Sequence, residues 1–470
     1  MSPADSLLVR DVEVGGAIVD VRVAGGQIDA IAPALAPRRD EEALDGHGGA
    51  LIPGLHDHYL HFYAAAAAVT SVAVGPAEVG DETGLGHALR EADASLAPVQ
   101  WLRAVGYHEA VAGDLDRHAL DRIVGDRPVR LQHRSGARWT LSSAAVAALD
   151  LATRSEPGIE RDESGHPTGR LHRADTWLRT LLPRADAPDL ATLGVRLAGF
   201  GVTGVTDPSP VADASDWAAI ADAVASHDLP QRVMVTGGPE LAGAALPTGL
   251  ERGPVKLVID DDTYPALADL ADHIASAHHH GRSVAIHCVT RTALVLALAA
   301  WDVAGSRRGD RVEHGSVVPL EMVAGLGAHR LTVVTQPGFV GERGDEYLAE
   351  VGDDLPDLYR CQSLIDAGVA MAGSTDAPYT SLDPWRAMRA AVSRRAPSGA
   401  VVGPAEAVSP ARALDLFLGD LHDPGGPVRR VEVGAPADLC LLAHPLATAL
   451  DRLQADDVAA TICAGRLVHG

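Results

Sequence analysis

The central part of the chain repeats one pattern, in which a short run rich in β-branched residues is followed in most cases by a longer stretch rich in Ala and Leu. Runs of the first kind predict buried strands, and the longer stretches predict helices. The eight predicted strands are 51–61, 201–207, 232–237, 255–259, 283–289, 311–314, 331–336 and 369–374. The predicted helices are 267–280, 293–304, 320–326, 358–366 and 384–394. This alternation indicates an α/β fold, and eight strands are the number that a (β/α)8 TIM barrel requires.

Both ends of the chain carry a different pattern. Residues 6–35 alternate apolar and polar positions between paired glycines, and the segments 431–442 and 459–468 repeat that style with single glycines at their turns. Such alternation is typical of short antiparallel strands joined by tight turns. Since the ends of a domain are commonly close in space, we predict that they combine into one small β-sandwich domain.

These patterns predict the domain organisation. The barrel spans 51–420, and the terminal β-domain is a composite of 1–50 and 421–470. The region of about 63–200 is too long for a single connection between a strand and the next helix. We therefore expect it to be an insertion that lies over the mouth of the barrel.

Composition and charge restrict the partners. Hydrophobic residues make up 47% of the chain but aromatic residues only 4%, so Ala, Val, Leu and Ile must build the core. The 39 basic and 63 acidic residues give a net charge of −24, which repels phosphate backbones and anionic membranes. Four scattered cysteines indicate neither a zinc ribbon nor a disulfide framework, and no signal peptide or spanning segment is predicted. We expect a cytoplasmic protein with a small-molecule substrate and no nucleic-acid or membrane partner. A homodimer is one oligomeric state that the sequence allows.

The chain contains a single lysine, Lys256, although Lys and Arg together number 39. A guanidinium stays protonated, whereas a desolvated amine can act as a base or nucleophile, or add carbon dioxide to form a carbamate that bridges metals. Codon usage that leaves one lysine by chance is the alternative explanation. Lys256 lies in an apolar run where a solvated lysine would be out of place, which indicates a chemical role.

Four further polar residues lie at or near the carboxyl ends of predicted strands: His61, His287, His314 and Asp376. These ends form the face of a barrel that carries the chemistry. A lone histidine in an apolar strand is most often a hydrogen-bonded core residue. Together with Lys256, however, these residues occupy several strands at one end, which predicts a site that binds metal or moves protons.

Five segments carry these residues: Pro-Gly-Leu-His-Asp-His-Tyr-Leu-His at 53–61, Lys256, His287, Arg-Val-Glu-His at 311–314 and Gly-Ser-Thr-Asp-Ala-Pro at 373–378. In this combination they resemble the amidohydrolase superfamily and, within it, the YtcJ-like branch, also called amidohydrolase family 3. The resemblance extends over nearly the whole chain. It implies the TIM barrel and the small terminal β-domain predicted above.

The resemblance also implies a site and a reaction. A carbamylated Lys256 (N6-carboxylysine) would bridge two zinc ions, one held by His287 and His314 and the other by His61 with Asp376. Asp376 would move a proton from the metal-activated water to the leaving nitrogen. The implied reaction is hydrolysis of an amide, formamide, imide or cyclic C–N bond.

The sequence departs from the family at Tyr59, where the family has the first histidine of a His-x-His pair. Strand alternation places Tyr59 and His61 on one face and His58 on the other, so His58 does not replace the missing ligand. A phenol is a poorer zinc ligand than an imidazole. The departure leads to the hypothesis of one zinc ion, held by Lys256 and the two later histidines, or of none.

Three functions stay open at this point. The leading interpretation is a metal-dependent C–N hydrolase. The alternative is a lyase, isomerase or cyclase on the same barrel, with a depleted metal site and Tyr59 as a proton donor. A catalytically inactive binding protein is the third, and the retained lysine, histidines and aspartate speak against it.

The predicted insertion holds the candidate substrate-binding residues, which are Tyr107, His133, Arg134, Trp139 and His172. The segment 132–139 resembles part of the substrate pocket of this branch, and an Arg or His there would face a substrate carboxylate. The alternative is a surface turn with a half-buried tryptophan.

Overall fold

The computed structural model describes residues 6–39, 41–97, 100–182, 189–209, 214–260 and 263–470. The strands within these residues are β1 (Ser6–Val14), β2 (Ala17–Ala24), β3 (Gln27–Ala32), β4 (Glu42–Asp45), β5 (Leu51–Pro53), β6 (Leu55–Asp57), β7 (Val72–Ala73), β8 (Leu102–Tyr107), β9 (Val129–His133), β10 (Arg138–Leu141), β11 (Ile159–Arg161), β12 (Pro167–His172), β13 (Val202–Asp207), β14 (Arg232–Val235), β15 (Leu250–Arg252), β16 (Val255–Val258), β17 (Val284–Cys288), β18 (Arg311–His314), β19 (Thr332–Thr335), β20 (Ala370–Gly373), β21 (Leu439–Leu442), β22 (Val458–Cys463) and β23 (Arg466–His469).

The α-helices of the same residues are α1 (Phe62–Val69), α2 (Pro76–Val79), α3 (Glu82–Ser95), α4 (Glu109–Ala112), α5 (Arg117–Val124), α6 (Ser143–Ala148), α7 (Asp175–Leu181), α8 (Leu190–Gly199), α9 (Ala214–Ala225), α10 (Leu267–His279), α11 (Arg291–Ala304), α12 (Val323–Ala328), α13 (Gly338–Glu350), α14 (Gln362–Asp366), α15 (Pro384–Ser393), α16 (Pro410–Asp415) and α17 (Leu446–Arg452). None of the helices in the described ranges is long and apolar enough to cross a bilayer.

Two parallel sheets carry the central part of the chain. One has the order β15-β14-β13-β6 and the other the order β16-β17-β18-β19-β20. Every predicted central strand region contains a strand, and the α/β prediction is confirmed. Backbone hydrogen bonds also link the two sheets, from Lys256 N–H in β16 to Gly237 O after β14 (2.9 Å) and from Asp376 N–H after β20 to Tyr59 O after β6 (2.9 Å). The carboxyl ends of these strands therefore meet at one side.

Strands from both ends of the chain form two further sheets, β3-β2-β1-β4 and β23-β22-β21-β5. The β1–β2 hairpin turns at Gly15 and Gly16, whose φ values of 59° and 84° suit glycine, as the paired glycines predicted. Buried residues of both sheets, among them Val21 and Ile462, belong to one hydrophobic cluster. The first short strand of the central region, β5, is thus paired with the last part of the chain.

The described chain divides into two compact units. The first, the main unit, ends at Phe62 and resumes at Leu190, and the second, the insertion unit, spans Tyr63–Asp189. The insertion unit holds the sheet β11-β12-β10-β9-β8-β7. The sequence pattern placed the end of the insertion at about residue 200, but the insertion unit ends earlier, at Asp189. The helix α8 (Leu190–Gly199) belongs to the main unit because it packs against β13.

Candidate active site

The central strands place six polar side chains near their carboxyl ends. Parallel strands bring residues at equivalent positions to the same edge, so residues distant in sequence become neighbours. Lys256 lies in β16, His287 in β17 and His314 at the end of β18, whereas Tyr59, His61 and Asp376 lie in the segments that follow β6 and β20.

Asp57 ties together the two segments that follow β6 and β20. Its Oδ1 accepts hydrogen bonds from Tyr59 N–H (3.2 Å) and Thr375 N–H (3.1 Å), and its Oδ2 accepts one from Thr375 Oγ1 (2.5 Å). Burial raises the pKa of Asp57 to about 7, although these hydrogen bonds oppose the shift. Asp57 therefore holds the backbone of Tyr59 and of Thr375, the residue before Asp376, a role that the sequence motif alone did not reveal.

Two residues of the site have left-handed backbone conformations. The φ angle is 69° at His314 and 57° at Asp376. Residues other than glycine adopt this region at a cost, and such strain is concentrated at functional sites. The packing of the strand ends holds both side chains in directions that a regular strand would not give them.

Lys256 is buried, with 2% of its surface exposed. Its Nζ donates a hydrogen bond to Tyr59 Oη (3.1 Å) and lies 4.5 Å from the centre of the Tyr59 ring. Burial lowers the pKa of Lys256 to about 8, and the nearby Glu313 carboxylate opposes that shift. The single lysine of the chain is thus a desolvated amine that contacts a phenol, as its apolar surroundings predicted.

Tyr59 lies among the imidazoles. Its ring centre is 5.4 Å from that of His61 and 4.8 Å from that of His314, although β6 ends at Asp57 and the two residues do not lie in a strand. Burial raises the pKa of Tyr59 well above its usual value, and the phenol therefore stays neutral. His58 is fully buried and its ring packs 6.0 Å from that of His56.

His314 presents an imidazole nitrogen with a lone pair. Gln336 Nε2 donates to Ser374 Oγ (2.9 Å), which directs Gln336 Oε1 toward His314 Nδ1 at 2.9 Å. The proton of a neutral His314 then lies on Nδ1, and Nε2 is left as a lone pair. That nitrogen is buried and has no hydrogen-bond partner within the described ranges.

His287 and Asp376 complete the neighbourhood of His314. The His287 and His314 rings are 4.4 Å apart, and burial lowers the pKa of His287 to about 3 and that of His314 well below its usual value. Asp376 Oδ2 lies 3.8 Å from His314 Nδ1, and Oδ1 lies 3.5 Å from His61 Nε2. Burial raises the pKa of Asp376, whereas His61 opposes the shift.

The donor set of this region fits one divalent cation. Neutral imidazoles with a carboxylate are ligands that zinc accepts, and the buried lone pair of His314 Nε2 lacks another partner in the described chain. His287 and His314 would hold the ion, with Asp376 as the nearest carboxylate. The fit does not extend to a second ion on the Tyr59 side, because the Tyr59 hydroxyl is neutral and accepts a hydrogen bond from Lys256.

The insertion unit contains a second polar cluster. Among the described residues, the three metal-ligating side chains whose ligand atoms all lie within 4.8 Å of one another are His108, Glu109 and His133. His133 Nε2 lies 3.1 Å and His108 Nε2 3.7 Å from Glu109 Oε2, and Arg138 pairs with the same carboxylate. Burial alone would raise the pKa of Glu109, but a backbone hydrogen bond and the charges of His133 and Arg138 lower it to about 2.

Both imidazoles of this cluster have the opposite tautomer from His314. Ala110 N–H donates to His108 Nδ1 (3.2 Å), and Ser135 N–H donates to His133 Nδ1 (3.1 Å). A neutral imidazole whose Nδ1 accepts carries its proton on Nε2. The nitrogens that face the carboxylate are therefore N–H donors, which makes this cluster a poorer metal site than its short distances indicate.

The other predicted substrate-binding residues lie in the same unit. Tyr107 is buried and donates to Gly113 O (2.6 Å), and Trp139 is 4% exposed, so the tryptophan is a core residue and not the half-buried surface residue of the alternative. His172 pairs with Glu160 at 3.0 Å. Arg134 has its N–H bonded to Tyr107 O (2.9 Å). A pocket role for these residues stays a prediction.

Comparison with known proteins identifies the family. A family model described as "Amidohydrolase family" matches residues 42–469. The N-substituted formamide deformylase of Arthrobacter pascens is 25% identical, over 90% of this chain and 89% of its own length. The putative amidohydrolase YtcJ of Bacillus subtilis (strain 168) is 24% identical, over 77% of this chain and 76% of its own.

A solved structure shows the same fold. An uncharacterized metal-dependent hydrolase from Pyrococcus furiosus aligns with a TM-score of 0.72 and 19% identity, over 93% of this chain and 99% of that one. The predicted YtcJ-like branch of amidohydrolase family 3 is confirmed by the family match and by the relatives. The chain belongs to the amidohydrolase family and is an enzyme of the class that hydrolyses carbon–nitrogen bonds other than peptide bonds.

Proposed function

We propose that this enzyme hydrolyses the C–N bond of an amide or N-substituted formamide with the help of one divalent cation. The observation that carries the proposal is the buried, unpartnered Nε2 of His314 beside the neutral imidazole of His287, within the described chain of an amidohydrolase. The similarity to an N-substituted formamide deformylase favours formamides as the first substrates to try.

The proposal includes the architecture. The two parallel sheets form a closed (β/α)8 barrel over about 51–420, with an inserted region between its first two strands. The terminal sheets, built from about 1–50 and 421–470 together with the short strand β5 (Leu51–Pro53), form a β-sandwich around their shared hydrophobic cluster. The backbone hydrogen bonds between the two sheets support closure of the barrel.

The side chains divide the chemistry between them. Zinc, when bound by His287 and His314, supplies Lewis acidity that lowers the pKa of water and polarises a carbonyl. Asp376, buried and close to His61, accepts a proton from the attacking water at a carboxylate oxygen and passes it to the leaving nitrogen. The raised pKa of Asp376 brings its proton affinity closer to that task.

Tyr59 donates a hydrogen bond to the substrate oxygen. Its Oη already accepts a hydrogen bond from Lys256 Nζ, so the hydroxyl proton points elsewhere and is available to a carbonyl that gains negative charge. Preorganised donors of this kind stabilise the transition state because they need no reorganisation during the reaction. Lys256 acts as a positioning residue that orients the phenol.

Lys256 acts as an amine and not as a carbamate. Its Nζ lies over the Tyr59 ring, a position that stabilises a cation and disfavours an anionic carbamate against the negative face of the ring. Without a bridging carbamate, the protein binds one equivalent of zinc. N6-carboxylysine and a second ion would be the opposite outcome.

Metal removal tests the reaction. Chelation should abolish release of amine from an N-alkylformamide, and one equivalent of zinc should restore it. Full turnover of a substrate by metal-free protein would instead favour a lyase, isomerase or cyclase.

Tyr59→His and Tyr59→Phe test the metal count. We expect one zinc per chain by elemental analysis in the native protein and in Tyr59→Phe, and two in Tyr59→His, where a new imidazole faces the same space. A carbamate signal at Lys256 in a carbon-13 NMR spectrum with labelled bicarbonate, together with two zinc ions in the native protein, would contradict the single-ion proposal.

A further inference from the structure

His58 is a buried histidine that takes no part in the candidate active site. Its exposed fraction is 0%, and neither of its ring nitrogens has a hydrogen-bond partner among the described residues. Burial lowers the pKa of His58 well below its usual value, so the ring is neutral. A neutral imidazole has one N–H donor and one acceptor nitrogen, and each is costly to bury without a partner. Both nitrogens of His58 therefore call for a ligand.

Thr206 lies on the same face of its sheet as the neighbour of His58, His56. Gly204 of β13 pairs with His56 of β6, and a Cβ atom at Gly204 would overlap the His56 ring. Thr206 follows Gly204 by two positions in the strand and therefore points to the same face. The centres of the His56 and His58 rings are 6.0 Å apart. Thr206 Oγ1, like the His58 nitrogens, is buried and has no partner in the described ranges.

The five-stranded sheet places an ion pair near His58. Arg311 Nε donates to Glu313 Oε1 (2.6 Å), but Arg311 Nη2 and Glu313 Oε2 are buried and have no partner within the part of the chain that the structure describes. After burial, the charge of Arg311 is the largest influence that lowers the pKa of His58. An influence of this size requires that the guanidinium and the imidazole be close to one another.

Lys256 points to the same face of the five-stranded sheet as Arg311. The parallel ladders pair Lys256 with Ala285 and Ala285 with Arg311, so the three side chains lie in one row. Ala285 is the shortest of the three, which leaves space between the other two. Lys256 Nζ makes one hydrogen bond to the described chain, to Tyr59, whereas a lysine ammonium has three N–H donors. Donors of Lys256 are thus left over.

The leftover groups are a mixture of donors and acceptors. Lys256 and Arg311 have donors, Glu313 has an acceptor, and His58 and Thr206 each have both. A cation would satisfy only the acceptors and an anion only the donors, whereas water donates and accepts. One water cannot reach both nitrogens of His58, because they point away from each other.

We propose that the inner polar cluster, formed by His58, Thr206, Arg311 and Glu313, binds a pair of water molecules, one of which accepts a hydrogen bond from Lys256. Buried waters of this kind bond to several otherwise unsatisfied polar groups and are part of the structure. The side chains of the cluster come from strands of both parallel sheets or from the segment after β6. The waters would therefore join the two sheets below the candidate active site.

The waters make His58 a positioning residue, a role that rests on the proposed hydrolase function. Lys256 orients the hydroxyl of Tyr59, and a water held by His58 restricts where the lysine nitrogen can lie. A hydrogen bond through water is nearly as favourable as a direct one. His58 thus acts on the Tyr59 donor through Lys256, without contact with the substrate.

A crystal structure of the full-length protein at a resolution that shows ordered water tests the site itself. We expect a water within about 3.2 Å of each His58 nitrogen, one of them also bonded to Lys256 Nζ. Crystals of His58→Leu should lack both waters. No water at either nitrogen in the native protein, or a direct bond from His58 to another side chain, would overturn the proposal.

Kinetics of N-alkylformamide hydrolysis test the positioning role. His58→Leu should lower kcat about tenfold, with KM and zinc content unchanged, because only the orientation of the Tyr59 donor is lost. His58→Gln keeps a donor and an acceptor and should restore most of that loss. Thr206→Val keeps the shape of the side chain, should lower kcat about threefold, and carries the test if His58→Leu fails to fold. His273→Leu, at an exposed position of α10, is the matched control and should leave kcat unchanged.

Three kinetic results would overturn the positioning role: an unchanged kcat in His58→Leu, an equal loss in His58→Gln and His58→Leu, or a loss of zinc together with kcat. Failure of the proposed function is distinguishable from these results. In that case the native protein hydrolyses no formamide, and the crystal structures alone decide whether the inner polar cluster binds water.

Discussion

The main unit and the insertion unit each contain a cluster of histidines around a carboxylate, and the two clusters differ in where the imidazole protons lie. Near the strand ends, Gln336 fixes the proton of His314 on Nδ1 and leaves Nε2 as a lone pair. In the insertion unit, backbone N–H groups bond to Nδ1 of His108 and His133, so both Nε2 atoms carry protons.

The comparison shows that proximity does not define a metal site. The cluster at Glu109 has the shorter distances, yet its carboxylate is paired with Arg138 and its imidazoles act as donors. The ligand atoms of the cluster at His314 lie farther apart, but its imidazoles are neutral and one of them has a buried lone pair. In the described chain, no arginine lies within 4.0 Å of Asp376. Hydrogen bonds to the far nitrogen decide whether an imidazole can bind a metal.

The largest expected effect is the loss of zinc and activity when a histidine of the cluster at His314, and not of the cluster at Glu109, is replaced. His314→Gln should lower kcat by a thousandfold or more and abolish zinc binding, since it removes a ligand of the proposed ion. His133→Gln should leave the zinc content unchanged and alter kcat by less than about threefold. Elemental analysis and amine release on both variants check this. Zinc loss on His133→Gln with retention on His314→Gln would reverse the assignment.

Asp57 of the main unit and Glu109 of the insertion unit should change the stability of the protein with pH in opposite directions. The folded pKa of Asp57 is raised to about 7, so the folded state binds more protons and loses stability as pH rises from about 4 to 7. The folded pKa of Glu109 is lowered to about 2, so its contribution is present above about 4.5 and is lost as pH falls through 2.

Denaturant unfolding between about pH 2 and pH 8 measures both effects. Asp57→Asn should remove a loss of a few kcal/mol between pH 4 and 7. Glu109→Gln should flatten only the acid limb, and by less, because that side chain is partly exposed. Parallel pH profiles for the native protein and Asp57→Asn would show that Asp57 is ionised when folded.

The smallest effect tests the tautomer argument. Gln336→Met removes the acceptor for His314 Nδ1 while it keeps the volume of the side chain, and zinc affinity should fall ten- to a hundredfold. Competition with a chromogenic chelator measures that affinity. Gln362→Met, at a partly exposed glutamine of α14, is the control and should leave the affinity unchanged. Equal zinc affinities in the native protein, Gln336→Met and Gln362→Met would show that the hydrogen bond to His314 Nδ1 does not control metal binding.

The sequence predicted the central strands well because buried parallel strands are continuous β-branched runs between glycines. It missed α13, where Gly338, Gly341 and Gly344 lower helix propensity and packing against α15 compensates. The sequence pattern also did not predict the six-stranded sheet of the insertion unit, because its strands are short and contain many arginines.

At the candidate active site, the positions of residues at strand ends predicted which side chains lie close together. They did not predict the hydrogen bonds between those side chains. The contact of Lys256 with Tyr59 joins residues from β16 and the segment after β6, and only side-chain reach across the sheets determines it. The tautomer of His314 likewise depends on Gln336, whose amide orientation is set by Ser374. Hydrogen bonds to residues behind the site, such as these, leave no periodic pattern in a sequence.

The pairing of β5 with β21 has a consequence for synthesis on the ribosome. β5 precedes Tyr59 and His61 by a few residues, yet its hydrogen-bonding partner, Leu439–Leu442, is translated near the end of the chain. Until then the edge of β5 stays unpaired in the nascent polypeptide, and contacts of such sequence separation form slowly. The order of translation therefore delays assembly of the strand that leads into the active site until almost all of the protein has been made.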